Sequence, residues 1–303
     1  MMSKKISITL DQKIISFVVR FTSIAFVFFS CIVFVLFQVI PPASTTPKFV
    51  VELPATGDVA QNVNFEQHFR DLKVEGSTII YDLKNDRIFQ YNPERNLTAF
   101  PTASTFKILN SLISLETGVI ADEIAVLTWD GITRDLPEWN RDLNMREAIK
   151  LSAVWFYQVL ARRVGHNRMQ EWVSKAGYGN QKIGDKEDID KFWLDGTLRI
   201  TPQEQIQFLQ GLYNNSLPFS QRTISIVKDI MINEKTPDYT IRGKTGWFGF
   251  GNNLTPNIGW YIGYLEKAEN VYFFATNIDI RQKQDAAVRI ELTRRCLKDL
   301  QVL

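Results

Sequence analysis

The sequence predicts an α+β protein: a mainly antiparallel β-sheet flanked by N- and C-terminal elements, with an all-helical subdomain inserted into it. Three observations predict this. Runs rich in aromatic and β-branched residues occur early, at Ser77–Leu83 and Arg87–Tyr91, and again late, at Tyr239–Thr245, Ile258–Leu265 and Val271–Ile278. Between the two groups, apolar residues recur at helical spacing. One more amphipathic segment, Asp285–Leu300, closes the chain. A chain that builds half a sheet, inserts helices and then completes the sheet belongs to the α+β class.

Each element has a local reason. The first two strands are joined by Lys84-Asn85-Asp86, a polar turn. Ser104 to Thr117 carries Ile108, Leu109, Leu112 and Ile113 on one face, with Gly118 just past the end. Asn144-x-x-Glu147 is a capping signature, and Val154–Val164 ends at Gly165. Asn167-x-x-Gln170 opens a short helix that stops at Gly177. Thr201-Pro202-Gln203-Glu204 combines a cap, a proline in the first turn and a capping-box glutamate. Glu266–Asn270 reads as a hairpin loop between the last two strands. In the closing helix, Val288, Leu292, Cys296 and Leu300 are four apart and share a face.

The chain has 303 residues, with Lys+Arg 35 against Asp+Glu 33, a formal charge of +2. Hydrophobic residues are 45% and charged residues 22%, which excludes a disordered, collagenous or disulfide-rich chain. Residues 1–20 carry a net +3, so the rest is slightly acidic and offers no basic face for nucleic acid.

Phe21 to Ile40 is uncharged and long enough to cross a bilayer core. The positive flank before it would stay cytoplasmic, so everything after Pro41 would be exported. The run is long for a cleaved signal peptide and reads as an uncleaved inner-membrane anchor, with release by cleavage as the alternative. Residues 41–54, rich in Pro and Thr, read as a linker, and 55–303 as one catalytic domain. Cys31 falls inside the apolar run and Cys296 near the end, so no internal disulfide is expected.

Three short motifs carry chemistry. In Ser104-Thr105-Phe106-Lys107 the serine and lysine share a helix face at a helix start. A serine there becomes a nucleophile when a neighbour accepts its proton. A second Ser-x-x-Lys, Ser225 to Lys228, has no partner motifs and reads as an ordinary helix face. Ser152-Ala153-Val154 lies between two helical signals. Lys244-Thr245-Gly246 follows a strand-like run, so on an edge strand it would present an ammonium, a hydroxyl and free backbone groups to a carboxylate and an amide. It is not the tail of a P-loop, because Asp238 stands where that loop needs glycine. His68 and His166, the only histidines, have no Gly-x-Ser-x-Gly or His-Glu-x-x-His around them.

Ser-x-x-Lys, then Ser-x-Val 48 residues on, then Lys-Thr-Gly 92 further on is the order of the penicillin-recognising serine acyltransferases. Together with Trp129-Asp130-Gly131, Tyr178-Gly179-Asn180, Phe192-Trp193-Leu194, Trp247 after the Lys-Thr-Gly, and Gly259-Trp260-Tyr261-Ile262-Gly263, the chain from about Ser77 onward resembles the class D β-lactamases. The resemblance implies a β-lactamase/transpeptidase-like fold and hydrolysis of β-lactams, the small-molecule partner expected beside the membrane; no nucleic-acid partner is expected.

It also implies roles. Ser104 would form the acyl-enzyme, with an oxyanion hole from the backbone N–H groups of Ser104 and Trp247. Lys107, carrying carbon dioxide as a carbamate, would be the general base, and no other cofactor or metal is implied. Trp193 would hold that base, and Val154 and Leu194 would limit water entry. Ser152 and Lys244 would pass a proton to the leaving nitrogen. Lys244, Thr245, Gly246, Trp247 and Arg289 would bind substrate. Two alternatives share the nucleophile: a penicillin-binding sensor and a peptidoglycan transpeptidase, both of which deacylate slowly. The segment 248–257 between two strands would edge the cleft.

Overall fold

The computed structural model describes residues 63–251 and 257–303. All of them lie within the unit Phe49–Leu303. The apolar segment 21–40 and the linker 41–54 lie outside the described residues, as do 252–256. Among the described residues no helix is long and apolar enough to cross a membrane.

A six-stranded antiparallel sheet forms the frame, in the order β2-β1-β10-β9-β8-β7. The strands are β1 (Gly76–Asp82), β2 (Arg87–Tyr91), β7 (Ile232–Lys235), β8 (Tyr239–Phe248), β9 (Asn257–Lys267) and β10 (Asn270–Ile280). Two short pairs stand apart, β3 (Phe100–Pro101) with β6 (Arg199–Ile200) and β4 (Val126–Leu127) with β5 (Leu143–Asn144). The two early strands and the four late ones, one more than the sequence predicts, meet at the β1–β10 ladder, where Ile79 faces Ala275. This is the predicted completion of the sheet after a helical insertion. Lys267 pairs with Asn270, so the last hairpin turns on Ala268 and Glu269 alone, tighter than the expected 266–270 loop.

Period-two alternation explains why the central strands bury both faces. On β9, Trp260, Ile262 and Tyr264 enter one core and Tyr261 and Leu265 the other. On β10, Phe273 and Ala275 join the first core, Phe274 and Ile278 the second. Each of these large side chains contributes about 1.5–3 kcal/mol on burial. The second core is closed by α1 (Glu66–Asp71) and α9 (Asp285–Asp299). His68 Nε2 lies 2.7 Å from Asp299 Oδ2 and ties these two helices together.

The helical insertion covers the other face. It comprises α2 (Pro93–Asn96), a 3-10 turn at Ala103–Phe106, α3 (Lys107–Glu116), α4 (Met145–Leu151), α5 (Val154–Val164), α6 (His166–Lys175), α7 (Pro202–Tyr213) and α8 (Gln221–Ile230). Both capping boxes form as the sequence predicts, at Asn144/Glu147 and Thr201/Glu204. Helix α6 begins at His166, one residue before the expected Asn167, and no side chain caps it. Helix α3 is buried on all sides from Lys107 to Leu115 and packs against α5, α6 and α8. The second Ser-x-x-Lys lies on α8, where Lys228 Nζ donates to Tyr213 O and Asn215 Oδ1, both at 2.7 Å. It is a structural helix face, as read.

Candidate active site

Ser104 lies in the 3-10 turn, not in the first turn of an α-helix as the sequence suggests; α3 proper begins at Lys107. The preceding Ala103 has φ +47°, a left-handed conformation that an alanine adopts at a cost of roughly 1–2 kcal/mol. The β3–β6 pair anchors the approach, with Thr102 N donating to Leu198 O at 3.2 Å. Thr105 Oγ1 donates to Thr102 O at 2.6 Å and accepts from Gln205 Nε2 of α7 at 3.0 Å. The tight turn keeps Ser104 and Lys107 together: Lys107 Nζ and Ser104 Oγ are 2.6 Å apart.

The strand follows close by. A Cβ on Gly246 would come within 3.2 Å of Thr105 Cγ2 and 3.3 Å of Thr102 O. Glycine therefore lets β8 lie this close to the Ser104 turn. Strand β7 pairs with β8 only opposite Thr240 to Arg242, so β8 is not the edge strand the sequence suggested, yet its edge is free of a strand partner beyond that point. Gly243 N donates to Met231 O on this side of the strand. Because amide directions alternate, the N–H groups of Thr245 and Trp247 point to the same open edge.

Ser152 closes α4 with φ +56° and is thereby turned out of the helix. Its Oγ accepts from Lys244 Nζ at 3.0 Å, and Lys244 Nζ also donates to Thr245 O at 3.0 Å. Two lysines thus meet the two serines. Burial pushes the Lys107 ammonium well below its usual range, and the nearby Lys244 charge adds to this. Burial, then the Arg289 charge, lowers Lys244 to about 7. Lys244 is therefore able to give up a proton near neutrality, and burial disfavours the charged form of Lys107.

Arg289 projects from α9 into the same cleft. Burial lowers its guanidinium to about 10. Its Nη1 donates to Ala286 O, its Nε has no partner, and no carboxylate pairs with it among the described residues. Trp193 is wholly buried beside Phe106, ring centroids 5.4 Å apart, and its Nε1 likewise has no partner. A buried N–H left unpaired costs about 1–3 kcal/mol, so an acceptor belongs there.

The cleft measures about 400 Å³. Ser104, Ser152, Val154, Leu194, Thr245 and Arg289 line it, along with Gly246 and Trp247. Of the predicted residues, only Lys107, Trp193 and Lys244 are withdrawn from its lining, and all three are buried. Sequence reasoning missed several walls. Trp139 is held by its Nε1 donating to Leu151 O at 3.0 Å, and Arg134 by its pair with Asp130 at 2.6 Å. Both come from the irregular stretch between β4 and β5, which has no periodicity to read. The predicted edge segment does supply Gly249 and Phe250, with Phe250 set against Trp247 at 5.0 Å. Neither histidine lines the cleft.

Known proteins match this arrangement. The penicillin binding protein transpeptidase domain matches residues 50–298. The chain is 40% identical to Beta-lactamase OXA-48 of Klebsiella pneumoniae over 255 residues, 84% of this chain and 94% of that protein. The crystal structure of the class D β-lactamase YbXI from Nostoc superposes with a TM-score of 0.78 at 57% identity, covering 80% of this chain and all of that one. That of FUS-1 (OXA-85), a class D β-lactamase from Fusobacterium nucleatum subsp. polymorphum, gives 0.75 at 41% identity, over 79% and 98%. A buried Ser–Lys pair, a second Ser–Lys pair across the cleft and these matches agree: the chain belongs to the class D β-lactamases, within the penicillin-binding transpeptidase superfamily.

Proposed function

We propose that the chain hydrolyses β-lactam antibiotics through an ester on Ser104, with Lys107 as the seat of the general base. The observation that carries this is the 2.6 Å approach of Lys107 Nζ to Ser104 Oγ in a site where burial disfavours the amine's charged form. A buried amine whose charged form is disfavoured and an unpartnered indole N–H fit a carbamate formed from carbon dioxide, with Lys107 as its attachment and Trp193 as its hydrogen-bond donor. When bound, that group supplies an anionic oxygen base.

The chain's own residues do the rest. Ser104 gives its proton towards the Lys107 side and attacks the lactam carbonyl. The N–H groups of Ser104 and Trp247 stabilise the oxyanion, a role supported by the open edge of β8. Ser152, in hydrogen-bond contact with Lys244, passes a proton to the leaving nitrogen; an amine near pH 7 can both give and take it. Arg289 and Thr245 receive the substrate carboxylate, which supplies the anion that this guanidinium lacks. Val154 and Leu194, both half-buried in the cleft wall, restrict water to what deacylation needs. The apolar run 21–40 with its positive flank supports a periplasmic domain held at the inner membrane.

Mass spectrometry of the protein mixed with a penicillin tests this. A penicillin-sized adduct on the Ser104 peptide that forms and then decays is expected. An adduct that persists would instead mark a sensor or transpeptidase.

A further inference from the structure

A second cavity, about 480 Å³, adjoins the catalytic cleft. Thr245 lines both cavities, and Lys244 lines the second. Gly243, Lys244 and Thr245 of β8, which have no β7 ladder partner, are part of its lining. Its apolar lining is five isoleucines: Ile149 of α4, Ile230 of α8, Ile232 of β7, Ile241 of β8 and Ile290 of α9. The polar lining comes from Lys150, Arg294, Asn233, Tyr261 and the carboxylate Glu234, among others.

Charge decides what fits. Arg294 is already paired with Glu234 at 2.6 Å, and Glu234 also accepts from Tyr239. Among the described residues no carboxylate pairs with Lys150 or with Lys244. An ammonium has three N–H donors, and Lys244 places two of them, on Ser152 Oγ and Thr245 O. Tyr261 Oη accepts from Asn233 Nδ2 at 3.4 Å and keeps its own O–H to donate. The cavity therefore offers the Lys150 ammonium, Lys244, whose charged form a bound carboxylate would favour, and a hydroxyl donor, beside five isoleucines. A dianion would leave charge against the apolar side, and a neutral hydrocarbon would leave the cations bare. The volume falls in the range of small-molecule sites, about 300–1,000 Å³.

We propose that this cavity binds a small aliphatic monocarboxylate, its carboxylate towards Lys244 and Lys150 and its tail on the isoleucines. Occupancy slows lactam hydrolysis by drawing Lys244 away from Ser152. The slowing rests on the relay role assigned to Lys244; the binding does not.

The test is calorimetric titration of 4-methylpentanoate into the full chain, repeated with benzeneboronic acid occupying Ser104. Saturable binding that survives the boronate, disappears in Ile232→Trp and weakens about tenfold in Lys150→Glu is expected. Lys150 is exposed, so the second variant decides the matter even where the first does not fold. Binding that the boronate abolishes and neither variant changes would place the carboxylate on Arg289 and overturn the proposal, as would an absence of saturable binding. In steady-state assays 4-methylpentanoate is expected to lower kcat with KM unchanged. Saturable binding with kcat unaffected would overturn the slowing and trace the failure to the relay role, not to the site.

Discussion

Replacing Trp193 by phenylalanine deletes the one N–H that waits beside Phe106 without an acceptor. A hydrogen bond to a charged group contributes about 1.5–3 kcal/mol, or roughly 10- to 150-fold in an equilibrium constant. The bicarbonate concentration for half-maximal activity is expected to rise by about that factor. Without carbon dioxide the picture differs. Removing an orphaned N–H relieves about 1–3 kcal/mol, while the smaller ring loses packing of similar size, so the two effects offset. Thermal melts in carbon-dioxide-free buffer should therefore barely differ between parent and variant. Added bicarbonate should raise the parent's Tm and leave the variant's nearly unmoved, as expected for a ligand that binds only the native state. Carbon-13 NMR with labelled bicarbonate reads the same difference without turnover. Identical bicarbonate dependence of activity and Tm in the two proteins would refute the assignment of Trp193 as the donor.

Three further outcomes follow from the geometry. Gly246→Ala would put its Cβ 3.2 Å from Thr105 Cγ2 and 3.3 Å from Thr102 O, so the Ser104 turn must give by a few tenths of an ångström; kcat should fall about tenfold with roughly 1–3 kcal/mol lost in urea denaturation. Arg289→Ala should lower kcat/KM roughly 10- to 150-fold, mainly through KM, yet leave stability unchanged or raised, because the guanidinium it removes is buried without an anion. Lys244 has a folded value of about 7 against an ordinary 10.5. Between those values the unfolded chain holds a proton that the folded chain has released, so this group makes stability rise with pH across that window. Lys244→Met should flatten that rise in denaturation curves taken from pH 7 to 10; an unchanged slope would contradict the buried-amine assignment.

The strands and capped helices were legible because their signals are local. Asn144/Glu147 and Thr201/Glu204 form the reciprocal bonds that their spacing announces. The strands on either side of the helices could be recognised, but only the β1–β10 ladder shows how they join. Strand β7 was not legible: Ile-Asn-Glu-Lys has no alternation, and its place comes from pairing with β8. Helix α1 escaped for a similar reason, since only Phe69 of its six residues is buried. Ser104, Lys107, Ser152 and Lys244 were legible because each sits in a short motif whose residue types the chemistry requires. Trp193 entered only by resemblance, and its unpaired N–H is a tertiary fact. Arg134 and Trp139 stayed hidden because residues between β4 and β5 obey no period. The 3-10 turn at Ser104 also stayed hidden, since the positive φ of Ala103 leaves no mark in the residue type.

The central claim is that Ser104 is acylated and then released by a base seated on Lys107. The most direct measurement follows hydrolysis of a chromogenic cephalosporin with and without added bicarbonate, in the parent and in Ser104→Ala. Sustained turnover that rises with bicarbonate and vanishes in Ser104→Ala is the predicted result. A single burst of product followed by silence, whatever the bicarbonate concentration, would contradict it.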